Sequence, residues 1–246
     1  MASFFLSPRW PDDGPNHDET SCPFYAAVPS KDGRVPDALN AIRQWPVGLN
    51  VRLDASLSVR TVERSARAES SSSLTGTTRR TAPRLGFLQR HWLEAGLNVW
   101  QGRSTRGWGQ CDAQLVAALG DGKFNGKSIQ EVLHVMRRHD EANAESIAAE
   151  FNAFLDGIKT TPQDSPHRLV LGELRAVTPS RYGFVVNLRQ TKRTFFASAP
   201  VVELSTASFR SAWAMIGNAS ARVVILAVVE RTRDGNLRII DLALQL

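Results

Sequence analysis

Near residue 160 the apolar residues of this chain stop recurring at every third or fourth position and begin to alternate, which restricts each half to a different kind of structure. Before that point Leu85, Leu88, Trp92, Leu93 and Leu97 mark one face of a helix that runs to a break at Gly102. A second helix is expected from Asp112 to Leu119, stopped by Gly120. Asn125 to Lys127 should turn, and Ser128 should then cap a helix through Ile129, Val132, Leu133 and Met136, with Glu131 at the capping-box position. A third is expected from Ala142 to Leu155, with Ile147, Phe151, Phe154 and Leu155 on one face, closing before Gly157.

After the connection Lys159 to Pro166 the reading is of strands: Leu169 to Val177, Tyr182 to Arg189 and Thr194 to Ala197, with Pro179 and Gly183 marking the first turn. Ser205 to Ile216 reads as an amphipathic helix capped by Ser205. The near-continuous apolar run from Ala221 to Arg231 is that of a strand buried on both faces. Asp234-Gly235 turns the chain into a last strand, Leu237 to Leu246. Three strands, a helix and two strands is the order of a five-stranded Greek-key barrel of the oligonucleotide-binding type, and it is equally compatible with a plain α+β sandwich.

Residues 1–64 are broken by Pro8, Pro11, Gly14, Pro15, Pro23, Pro29 and Pro36 into extended and turn-rich pieces. Within them Val35 to Trp45 reads as a short helix ended by Pro46, and Leu49, Val51, Leu53, Leu57 and Val59 alternate as in a strand. Residues 65–83, rich in Ser, Thr and Arg, read as a flexible linker. The division is therefore an N-terminal region at 1–64, the linker, a helical unit at 84–158 and a β-rich basic domain at 162–246, an α+β chain overall.

The two cysteines, Cys22 and Cys111, stand in unrelated contexts and provide neither a disulfide framework nor a complete zinc quartet. His17 and Cys22 are at best half of a metal site, so no metal and no cofactor is expected. No apolar run approaches the roughly 20 residues that span a bilayer, and Met1 to Pro11 lacks the form of a secretion signal. These features point to the cytoplasm and away from a membrane.

The net charge of +6 bears on partners rather than on fold. Residues 162–246 carry eleven Lys/Arg against six Asp/Glu, whereas residues 1–83 carry ten against nine and residues 84–161 nine against nine, so the excess is concentrated in the β domain. Tyr182, Phe184, Phe195 and Phe196 interleave there with Arg175, Arg181, Arg189, Lys192 and Arg193. Aromatic faces stack bases while cations track phosphates, which makes RNA or DNA the expected partner. Of the four rings, Tyr182 and Phe195 are expected at the surface and Phe184 and Phe196 in the core. Arginine bias in the composition alone would also produce such a charge.

The segment WLEAGLNVWQGRSTRGWGQ places Arg103 and Arg106 in a Gly-rich loop before a helix, where backbone amides favour phosphate. It lacks the ending of a Walker motif, and its tryptophans would equally pack a helical hairpin. His134 and His139 flank Arg137 and Arg138, a set from which a metal-independent ribonuclease could draw a general acid or base. Glu173, in mid-strand, is either an acid of that kind or the partner of Arg175 or another basic neighbour. Nucleophile elbows, dinucleotide fingerprints and HExxH are absent.

GPNHDETSCPFYAAVPSKDG, WLEAGLNVWQGRSTRGW, LVLGELRAVTPSRYGFVVNLR and GNLRIIDLALQL together resemble an uncharacterised bacterial family found mostly on conjugative plasmids and integrative elements. Members of that family are longer at both ends, with a Cys-x-Cys pair upstream of the residues matching His17 and Cys22, and this chain looks like a shortened version. The resemblance implies no catalytic residue. It implies a mobile-DNA setting, and with it three expectations: a nucleic-acid-binding protein, a metal-independent RNA-processing endonuclease of a plasmid-borne CRISPR-like system, or an adaptor to other proteins of a nucleoprotein complex.

Overall fold

The structure is a computed structural model and describes residues 42–45, 48–51, 58–60, 84–99, 106–158, 164–218 and 221–246. Strands β1 (Ile42–Trp45) and β2 (Gly48–Val51) pair antiparallel. The helix expected over Val35 to Trp45 is therefore replaced by a strand in its last four residues, and residues 35–41 lie outside those described. The proline that was to end a helix explains the change, because Pro46 disfavours helical backbone at Trp45. Strand β3 (Ser58–Arg60) completes the described N-terminal elements.

The helical unit consists of α1 (Arg84–Glu94), α2 (Trp108–Leu119), a hairpin of β4 (Lys123–Phe124) and β5 (Lys127–Ser128), the single turn α3 (Ile129–Val132), β6 (Leu133–Val135) and α4 (Ala144–Asp156). Asn125 and Gly126, at φ 49° and 86°, form the two-residue turn between β4 and β5. β4 runs parallel to β2. The helix expected from Ser128 to Met136 stops at Val132, and the Ser128 side chain makes no capping bond. What overrides it is tertiary: Leu133, His134 and Val135 pair in parallel with Leu169, Val170 and Leu171, and the Met136 amide donates to the Leu171 carbonyl at 2.8 Å.

The remaining chain forms β7 (Asp164–Pro166), β8 (Arg168–Ser180), β9 (Gly183–Leu188), β10 (Thr194–Ala197), α5 (Ala199–Ser208), α6 (Arg210–Ala214), β11 (Val223–Arg231) and β12 (Leu237–Gln245). β7 pairs with β3. The other strands follow the order β8-β9-β10-β12-β11 and close on themselves, because β11 pairs with both β12 and β8. All these neighbours are antiparallel except β10 and β12. This is a closed five-stranded Greek-key barrel with its helices between the third and fourth strands, as in the oligonucleotide-binding type, and β6 is an extra strand on the flank of β8. The plain sandwich is excluded by the closing β11–β8 pair.

Alternation builds two layers of core from single strands. Val223, Ile225, Ala227 and Val229 of β11 pack inside the barrel with Val186, Leu188 and Phe195. Val224, Leu226 and Val228, pointing the other way, pack with Leu169 and Leu171 against Phe87, Leu88 and Leu115 of α1 and α2. β11 is thus apolar at every position from Val223 to Val229 because both its faces are covered there, as its sequence predicts. The helix expected from Ser205 to Ile216 begins earlier, at Ala199, where Pro200 occupies the first turn, and it breaks at Phe209. Ser205 is an interior residue of α5 whose hydroxyl donates to the Val202 carbonyl and accepts from the Trp213 indole.

Candidate functional site

The outer surface of β9 and β10 forms one face of the barrel, and the strand register states what it presents. Thr178, Val185, Phe196 and Arg238 lie side by side across β8, β9, β10 and β12. They share one face because neighbouring strands keep paired residues on the same side of a sheet. The next row, Val177, Val186, Phe195 and Leu237, points into the barrel.

Phe195 is consequently 1% exposed, which corrects the expectation that it faces outward, and Phe196 is the exposed member of the pair at 38%. A one-residue register choice decides between two adjacent phenylalanines, and the apolar partners Val186 and Leu237 on either side of Phe195 settle it. Phe184 is half-buried against the barrel core, as expected. Tyr182 does not start β9 but occupies the turn before it, 84% exposed, with the Arg181 guanidinium 5.2 Å from its ring centroid.

The turns place the cations at both ends of this face. The β8–β9 turn carries Arg181 and Tyr182. About 20 Å away along β9 lies the β9–β10 turn, with Arg189 and Lys192 exposed. The β11–β12 turn, with Arg233 exposed, lies at that same end, since β10 and β12 run parallel from Phe195 and Leu237. Arg193 is also exposed there and donates from Nε and Nη2 to the Asn152 Oδ1 of α4 at 3.1 and 2.8 Å. Arg238 forms an ion pair with the buried Glu230. Phe196, Arg233 and Arg238 were missed from the sequence; the alternation of β12, with buried Leu237 and Ile239, is the signal that places Arg238 outside.

Arg175 is exposed at the irregularity where the β8–β9 pairing shifts between Leu174 and Ala176. Its neighbour Glu173 is buried, and its partner is not Arg175. Its carboxylate accepts from the Gln190 amide at 2.9 Å and lies 3.8 Å from the Arg222 Nε. Burial pushes the Glu173 carboxyl above its ordinary range, against the opposing pull of Arg222 and Arg189.

The remaining candidates lie elsewhere. Arg106 donates to the carbonyls of Leu97 and Val99, closing the turn after α1, so its planar fork is engaged with backbone in the described structure. Arg103 lies outside the described residues, as do His17 and Cys22. His134 is removed as an acid or base by its place in β6: its ring packs between Phe151 and Phe154, and burial lowers its pKa to about 4, helped by Arg137. His139 is exposed. Among the described residues no group of three or more His, Cys, Asp or Glu could hold a metal ion, and no helix is long and apolar enough to cross a membrane.

Along residues 2–246 the chain matches the model of a family described as protein of unknown function (DUF1173). No curated protein matches it.

Proposed function

We propose, for a chain that belongs to the DUF1173 family over nearly its whole length, that it is a nucleic-acid-binding protein whose barrel face holds single-stranded or structured RNA or DNA. One observation carries the reading: Phe196 and Tyr182 stand exposed on and beside the β9–β10 surface, between turns that carry Arg181 at one end and Arg189, Lys192 and Arg233 at the other. A barrel of this strand order offers the second and third strands, with the turns that flank them, to oligonucleotides. Exposed rings supply sequence-tolerant stacking and the flanking cations supply phosphate contacts. The face is open and about 20 Å long, which suits a strand of several nucleotides better than a small metabolite. The resemblance to proteins of conjugative plasmids supplies the setting we propose for it, a plasmid or other mobile element, with RNA or DNA as partner and further proteins of a nucleoprotein complex around it.

The test uses the purified chain in chelator at two salt concentrations with labelled single-stranded DNA, duplex DNA and hairpin RNA, scored for retardation and for cleavage. Retardation without cleavage is expected, weakened about tenfold or more by Tyr182→Ala and by Phe196→Ala, since each stacked ring contributes roughly 1–3 kcal/mol. Equal affinity in both variants overturns the barrel face as the platform. Cleavage that persists in chelator and is lost in His139→Ala replaces the binding reading with the endonuclease. If nothing binds even at low salt, the basic excess is compositional.

A further inference from the structure

A second concave surface lies apart from the barrel face, between α2 and α4. It is an open cleft of about 1230 Å³, with Gln110, Ala113 and Val116 of α2 on one wall, Ser146 and Ile147 of α4 on the other, and Arg137 to Asp140 at its base. Its volume exceeds the roughly 300–1,000 Å³ usual for small-molecule sites, leaving room for a nucleotide together with a further phosphate or a flanking residue.

The charges in the cleft are sorted. Asp112 is buried, and its carboxylate accepts the Arg138 amide at 2.8 Å. Asp140 turns to the amides of Ala142 and Asn143, and Glu150 pairs with Arg137 at 3.6 Å. The Arg138 guanidinium has no hydrogen bond or ion pair among the described residues, although Arg138 and His139 both act electrostatically on the Asp140 carboxylate, with which a bound anion would compete. The Arg138 stem runs close over Gly109. A Cβ on Gly109 would fall 2.8 Å from its Cδ, so its stem lies flat on a backbone that only glycine leaves bare. Beside it His139 is exposed. The lining is mixed, with Val116, 48% exposed, and Ile147 standing among Gln110, Asn143, Ser146 and Glu150. An exposed guanidinium without a hydrogen bond among the described residues, in a cleft that also offers Val116 and Ile147, suits a ligand with an anionic group and a flat ring.

We propose that this cleft binds a nucleoside 5′-phosphate, with Arg138 and His139 on the phosphate and the base between Val116 and Ile147. The site is independent of the barrel face. Its ligand has two sources, a free nucleotide or the 5′-phosphorylated end of a strand, and the measurement separates them. Equilibrium dialysis of the full chain against labelled AMP and ATP is run beside binding of one short oligonucleotide carrying either a 5′-phosphate or a 5′-hydroxyl.

Retention of AMP or ATP identifies the free nucleotide. A preference for the phosphorylated oligonucleotide without retention of AMP identifies the strand end. In either case Arg138→Ala should weaken the phosphate-dependent binding at least tenfold, Arg138→Lys should recover part of it, and Val116→Glu should abolish it, all with an unchanged unfolding temperature. Tyr182→Ala, on the barrel face, should leave AMP binding as it is, so failure of one site is read separately from failure of the other. The proposal is overturned if the wild-type chain shows neither retention nor preference, if Arg138→Ala and Val116→Glu bind as the wild type does, or if inorganic phosphate competes as well as AMP.

Discussion

His91 is fully buried in α1, its ring stacked on Phe87 at 5.6 Å, and neither ring nitrogen has a hydrogen-bond partner among the described residues. Burial lowers its pKa to about 4, and the same holds for His134 in β6. The unfolded chain takes up these protons from about pH 6.5 downward, whereas the folded chain refuses them until about pH 4. Stability is therefore full above about pH 7 and is lost as the pH falls through that window, by on the order of 3 kcal/mol for each ring at its lower edge. Together the two losses are comparable with the whole stability of a typical domain, about 5–15 kcal/mol. Tryptophan fluorescence against pH should show the fold collapsing between pH 6 and 4. His91→Leu, which removes the proton site and two orphaned polar atoms, should move that transition to lower pH without lowering stability at pH 7. A transition that stays where it is would put the acid sensitivity elsewhere. Core placement also separates the adjacent rings: Phe195→Ala should cost about 3–5 kcal/mol in urea unfolding, and Phe196→Ala much less.

At the scale of elements the barrel depends on one turn. Gly183 begins β9 at φ +133°, and a Cβ there would lie 2.4 Å from the Ala197 carbonyl oxygen, so glycine is required both for the backbone angle and for the close approach of β9 to β10. Gly235, in the β11–β12 turn at φ +82°, has open space around it. Gly183→Ala should therefore cost well over 2 kcal/mol, while Gly235→Ala should cost about 1 kcal/mol from its backbone angle alone. Equal losses in urea denaturation would mean that β9 and β10 do not need to pack so closely. The strands that depend on such turns were legible in the sequence, because alternation and turn residues are local signals; β10 matches its expected bounds, Thr194 to Ala197. The elements misread are those fixed by distant partners. Leu133 to Val135 is a run buried on all sides, which has no period to read, and only its pairing with β8 makes it a strand. The site was legible to the same degree. The exposure of Tyr182 was expected, though its place in the turn rather than at the start of the strand was not; choosing between Phe195 and Phe196 requires the register of three strands, and the engagement of Arg106 with the carbonyls after α1 lies in the fold alone.

At the scale of the whole molecule the question is whether location or only net charge matters. A chain of net charge +6 attracts any polyanion at low salt, so binding alone does not identify a face. Position can be separated from charge by removing two cations in each of two places. Arg189→Ala with Lys192→Ala removes two of the cations at one end of the barrel face, where both residues are exposed. Lys123→Ala with Lys127→Ala clears the β4–β5 hairpin, which Phe124 anchors against Phe87 of α1. Both doubles leave +4, since each removes two from +6. Arg193 is left untouched because it also ties the β9–β10 turn to Asn152. Each phosphate contact on a single strand contributes about 0.7 to the slope of log affinity against log salt, so the barrel double should flatten that slope by about 1.4. The hairpin double should lower affinity slightly at low salt and leave the slope unchanged, because a distant charge acts through a screened field and releases no bound counterion. If the two doubles flatten the slope equally, the chain binds through its overall charge, and the aromatic groups of the barrel face have no strand held across them to stack upon.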